Sequence, residues 1–163
     1  MSVSLEHEPT IGPNDAHAEF DGTHLKFYVY GGELRHEWPC LDVGVLDGNS
    51  DADQTGYHHK CPPGNGYIVG KPQALNPAEP AYGNFFTPIE DDPDGDMRIH
   101  GRAGIGVHGG GSALGSHFDD PEQPLRPTYG CFRLHNADNE EWVRAVAFVQ
   151  AHGGTVYFDN LQQ

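Results

Sequence analysis

Glycine and proline cut this chain into short pieces, and that punctuation limits what it can fold into more than any other feature. The 163 residues hold 22 glycines and 13 prolines. Proline removes a backbone donor and glycine weakens a helix interior, so a long helix needs a run free of both. Only residues 131–152 offer one. Elsewhere the pattern is of short alternating runs. HLKFYVYGGELRHEW sets Gly31-Gly32 between two runs rich in aromatic and β-branched residues, which predicts a hairpin. CLDVGVL reads as a further strand, and CPPGNGYIVGK as a turn feeding a strand at Tyr67–Val69. MRIHGRAGIGVHGGG holds two short apolar strands that each end in His-Gly, and TVYF reads as a last strand. Residues 72–96, rich in proline and acid, read as a long surface loop, and SALGSHFDDPEQPLRP as another.

The helix is expected to start at a capping box, Asp138 with Glu141 three residues later. Trp142, Ala145, Val146 and Val149 then fall on one face, and Gly153-Gly154 ends the helix. These elements predict a mainly β fold, a sandwich or barrel of short strands with one main helix near the C-terminus. The expected organisation is a polar N-terminal arm at 1–19 and a single domain at 20–163.

Charge narrows the choice of partners. Twenty-four acidic residues against 9 Lys and Arg give −15, which repels phosphate backbones and anionic lipid. Nucleic-acid binding and membrane insertion are therefore not expected, and no apolar run approaches the length of a membrane span. MSVSLEHEPTIGPNDAHAEF lacks the basic start and apolar stretch of a secretory signal.

One of three cysteines stands in PTYGCFRLHNADNEEW, between a glycine and an aromatic. Cys131 lies shortly before the helix, where unpaired N–H groups and the positive helix end favour a thiolate and an oxyanion. Gly130 lets the backbone approach a substrate carbonyl, Arg133 offers a forked cation suited to a carboxylate, and GVHGGG upstream can supply a base. The bland alternative is a cysteine that packs as a small apolar residue.

Taken together, GIGVHGGG, a loop and PTYGCFRLHNAD resemble the signature of the L,D-transpeptidase catalytic domain, the YkuD-like family. The likeness covers roughly residues 21–159 and is strongest at 104–138. It implies Cys131 as the nucleophile, His108 as the general base, and backbone N–H groups of Tyr129, Gly130 and Cys131 as the oxyanion hole. Arg133, with Gly109 and Thr128, would position the substrate. His100, in a similar RIHG strand end, is the alternative base. Tyr129 stands where the family often has histidine, and the spacer from His108 to Thr128 is longer than usual. The implied reaction runs through a thioester on Cys131, with a peptidoglycan stem peptide as donor and no cofactor or metal. Forming cross-links, exchanging the terminal D-residue and trimming it by hydrolysis all remain open.

The implied place of action is the periplasm or cell envelope, as a domain delivered by another route or borne by a phage, with a delivery or immunity protein as partner. The alternative is an inactive module of the same fold that binds stem peptides. HHKC at 58–61 lacks a second ligand pair at zinc-like spacing, and DDPDGD at 91–96 lacks the closing glutamate of a calcium loop. Whether Cys40 and Cys61 form a disulfide stays open, as does the solvated reading of His117 and His135.

Overall fold

Alternation along the first strands decides which way the sheet closes. The computed structural model describes residues 12–42, 64–90, 98–99, 102–126, 128 and 131–161. In β1 (Ala16–Phe20), Ala16, Ala18 and Phe20 are fully buried while His17 and Glu19 face away. In β2 (His24–Val29), Leu25 and Phe27 continue the inward face, and β3 (Glu33–Leu41) adds Trp38 and Cys40. The remaining strands are β4 (Gly64–Val69), β5 (Gln73–Glu79), β6 (Gly83–Glu90), β7 (Arg98–Ile99), β8 (Arg102–Ala103), β9 (Gly106–His108), β10 (Phe132–Leu134) and β11 (Val156–Asn160). Among the described residues the order β4-β11-β1-β2-β3-β10-β9-β6 returns from β6 to β4, so eight strands close a barrel. Closure removes the unpaired edges that an open sheet of this size would present. β5 adds to β6 as a hairpin partner, and β7 pairs with β8 in a separate two-stranded ribbon.

Aromatic rings fill the interior. Phe132 meets Phe20 edge-on at 5.0 Å and lies 4.8 Å from Phe158. The helix α1 (Asn136–Ala151) sends Trp142, Val146 and Val149 into the same core, with Ala145 packed at its margin. Trp142 meets Phe27 and Trp38 edge-on. Burial of that size, about 25 cal/mol per Å² of apolar surface, holds the helix against the barrel.

The hairpin at Gly31-Gly32 forms as expected, with both glycines at positive φ. Four sequence expectations need correction. Residues 72–96 are not one long loop, because β5 and β6 form a hairpin within them. β5 tolerates Pro77 because it lies at the end of the strand order, where a missing N–H costs no pairing. Pro88 sits where β6 passes from β9 to β4, and its carbonyl accepts the Gly70 N–H at 2.8 Å. β1 begins inside the stretch expected as an arm, paired in parallel with β11.

A 3-10 helix at Ser112–His117 occupies part of the loop that links β9 to β10. The fourth correction concerns the helix start. α1 begins at Asn136 without a side-chain cap of its own, and Glu141 instead accepts from Trp38 Nε1 at 2.7 Å. Of CLDVGVL, Cys40 and Leu41 end β3 and the residues after Asp42 lie outside the described residues.

Candidate active site

β9 and β10 pair in parallel, Phe132 against Val107 and Arg133 against His108. Val107, Phe132 and Leu134 fill the core, so the pleat turns His108 and Arg133 to the outer face. Cys131, one residue ahead of β10, falls on the face of Arg133, and continuing the register sets it opposite Gly106. One diagonal step then separates Cys131 from His108, roughly 8 Å between Cα atoms from strand rise and spacing. The sheet thus brings the two expected reacting groups to one corner.

His108 is 2% exposed. Tyr82 meets its ring edge-on at 4.9 Å, and Phe86 stacks on it at 6.0 Å. Its Nδ1 lies 2.7 Å from the carbonyl oxygen of Gly109. A carbonyl only accepts, so Nδ1 carries the hydrogen and Nε2 keeps its lone pair. Burial, and after it the Arg133 charge, holds the imidazole pKa down at about 3, with the Gly109 carbonyl pulling the other way. The ring is therefore neutral near pH 7, in the tautomer that a base using Nε2 requires.

Cys131 is partly exposed, and its Sγ donates to the Gly104 carbonyl at 3.1 Å. Thr128 Oγ1 donates to the Cys131 carbonyl at 2.6 Å, and Thr128 N–H donates to the Asp42 carbonyl at 3.1 Å. Thr128 thereby ties the Cys131 backbone to the end of β3. Tyr129, Gly130 and the alternative base His100 lie outside the described residues, as do HHKC, Cys61 and DDPDGD. Cys40 is a free, buried thiol whose pKa burial raises well above the ordinary range.

Arg133 is 6% exposed. Its Nη1 donates to the Arg126 carbonyl at 2.8 Å, Nη2 to Ala81 at 3.0 Å and Nε to Gly109 at 3.3 Å. The fork thus grips backbone from three segments, and its charge lies beside the cysteine. Burial lowers its pKa to about 10, while attraction to Cys131 acts in the opposite direction.

The turn between β5 and β6 is stitched onto this corner. Its consecutive carbonyls at Pro80, Ala81 and Tyr82 accept from Gly111 N, Arg133 Nη2 and Gly109 N. Gly109 and Gly110 leave no room for side chains: a Cβ on Gly109 would collide with Asn136 Oδ1, and Gly110 holds a φ of +73°. Beneath them, buried Gln123 donates to the carbonyls of Gly110 at 3.2 Å and Leu134 at 3.1 Å. The same side chain accepts the Asn136 N–H at 2.7 Å. Asn136 Oδ1 in turn accepts the Gly110 N–H at 2.9 Å.

Gln123 and the Pro121 carbonyl therefore take up the first N–H groups of α1. The helix end expected to face a thiolate is occupied by its own loop, and β10 separates it from Cys131. His117 is exposed, 3.1 Å from Asp120 Oδ2, and His135 Nδ1 donates to the Gln123 carbonyl at 2.8 Å.

Tyr82 is the site residue that sequence reasoning missed, because it lies in the stretch read as a surface loop. Burial raises its hydroxyl pKa, followed by the negative charges of Cys131 and Glu79, against the opposing pull of Arg133. It stays a protonated donor next to the cysteine.

A solved structure of comparable architecture is that of the helical cell shape determining protein Pgp2 from Campylobacter jejuni. The two chains share a fold. The match has a TM-score of 0.54 and 22% sequence identity, and it covers 90% of this chain and 47% of that one. This chain therefore spans about half the length of Pgp2. No family model and no curated protein matches the sequence.

Proposed function

We propose that this protein is a cysteine acyl-transfer enzyme of the L,D-transpeptidase type, acting on peptidoglycan stem peptides. The observation that carries the reading is the state of His108: buried, neutral, with Nδ1 locked onto Gly109 so that Nε2 carries the lone pair, one diagonal step from Cys131. The cell-shape role in the name of Pgp2 agrees with a wall substrate and a place of action in the envelope.

In this mechanism the Cys131 thiol leaves the Gly104 carbonyl and gives its proton to His108 Nε2. A free imidazolium is costly in so dry a place, so proton loss and attack on the substrate amide proceed together, the thiolate charge offsetting the imidazolium. Arg133 favours the same thiolate through its nearby charge. Attack forms the carbon–sulfur bond and a tetrahedral oxyanion, which N–H groups of Tyr129, Gly130 and Cys131 receive. The imidazolium then protonates the departing amine, the carbon–nitrogen bond breaks, and a thioester remains on Cys131. An amine acceptor resolves it by transfer or water by hydrolysis. Tyr82 supplies a further donor and keeps water from His108, while Thr128 holds the Cys131 backbone and Gly109 fixes the base.

The test is intact-mass spectrometry after incubation with a stem tetrapeptide or a carbapenem, beside Cys131→Ala. A gain of one acyl group in the wild type, absent from the variant, is the expected result. Peptide binding without an adduct would make the protein a stem-binding module instead. Neither binding nor adduct would sink the peptidoglycan reading.

A further inference from the structure

On the opposite wall of the barrel, three strands from β9 and β10 in either direction, the geometry points to a second site, for a divalent transition-metal ion of the zinc class, held by His17, Glu19 and Asp159. The parallel register of β1 and β11 sets Glu19 directly beside Asp159. Two carboxylates side by side on one face of a sheet repel each other, and a cation held between them would offset that repulsion. His17, two residues before Glu19 on the same face, brings Nε2 to 3.1 Å from Glu19 Oε2. One ligand atom from each of the three residues lies within 4.8 Å of the others. A small inward adjustment brings those atoms to the separations around a four-coordinate ion, whose metal–ligand bonds are about 2.0–2.2 Å.

The surroundings orient these ligands. The His17 ring stacks on Tyr28 at 4.9 Å with planes 12° apart, which fixes the direction of Nε2. The Gly66 N–H donates to Asp159 Oδ1 at 2.7 Å, and Asp159 is 6% exposed. Hydrogen bonds of this kind hold metal ligands in place in known sites. Lys26, in register with Glu19 on β2, sends its ammonium to within 3.9 Å of Asp21 instead. One imidazole nitrogen with two carboxylate oxygens favours zinc, cobalt or manganese over magnesium or calcium.

Such an ion would tie the first strand of the barrel to the last. Its binding takes the lone pair of His17 Nε2, so the hydrogen that this nitrogen shares with Glu19 moves to Nδ1 and the ring binds as the other neutral tautomer. Sequence spacing could not reveal this site, because its ligands come from opposite ends of the chain.

The experiment uses the whole chain, stripped with a chelator and titrated with Zn²⁺ by calorimetry and with Co²⁺ by visible absorption. Expected are one ion per chain, a rise in Tm with Zn²⁺, and much weaker binding of Mg²⁺. Asp159→Asn, which keeps the contact with Gly66, and Glu19→Gln, on the more exposed side, are each expected to weaken Zn²⁺ binding by at least about 100-fold, the upper end of the cost of losing even an outer-shell partner. His117→Ala, which removes an exposed histidine beside Asp120, should leave binding unchanged. Absence of stoichiometric binding overturns the proposal and makes the trio an ion-paired surface cluster. Undiminished binding in both carboxylate variants also overturns it, by placing the ion elsewhere. Neither result bears on Cys131.

Discussion

Acid should destabilise this protein through one histidine in particular. The His108 imidazole titrates near 6.5 when unfolded but at about 3 in the folded protein. Between those values the unfolded chain binds a proton that the folded chain refuses. The sign follows: the stability contributed by His108 is complete above about pH 6.5 and falls as pH drops toward 3. Each unit within that window is worth about 1.4 kcal/mol, so reaching pH 5 costs roughly 2 kcal/mol. That is a large share of the 5–15 kcal/mol typical of a folded domain.

The chain has 11 histidines and 24 acids that also titrate, so the measurement is a difference. Urea unfolding of the wild type and of His108→Gln, whose amide can still donate to the Gly109 carbonyl, is followed from about pH 7.5 to 5. The wild type should lose roughly 2 kcal/mol more than the variant across that range. Equal slopes would refute the reasoning, because they would mean that folding leaves the affinity of His108 for a proton unchanged.

Two further outcomes test the corner around it. Gln123→Leu leaves the Gly110 and Leu134 carbonyls without a donor and the Asn136 N–H without an acceptor. With each unsatisfied buried group costing about 1–3 kcal/mol, the loss on urea unfolding should be roughly 3 kcal/mol or more, and a loss under about 1 would dismiss this joint as a support. Tyr82→Ala uncovers one face of the His108 ring, so its pKa, read by NMR titration of the imidazole carbons, should rise toward the ordinary histidine range. An unchanged titration would show that Tyr82 does not keep water from the base.

Features set by local chemistry were legible in the residues. Gly31-Gly32 marks the β2–β3 turn because positive φ there favours glycine, and the spacing of Trp142, Val146 and Val149 marks the buried face of α1 because helical periodicity is a property of the local backbone. The expectation that Cys131 and His108 act together came instead from the likeness of their motifs to a known family, and it stands as a proposal. The strand pairings lay beyond such reasoning. Pro77 looks like a loop signal until β5 is known to end the strand order, and β1 looks like a polar arm until its alternate residues meet the core.

Side-chain partners were equally hidden. Arg133 reads as a hand for a substrate carboxylate, yet its donors grip carbonyls at 81, 109 and 126. Sequence by itself determined the Gly31-Gly32 turn and the buried face of α1, since each depends on neighbours within a few residues. Tertiary structure alone decided barrel closure, the neutral tautomer of His108 and the meeting of His17 and Glu19 with Asp159. Each of these depends on which distant strands pair and on how much water their pairing excludes.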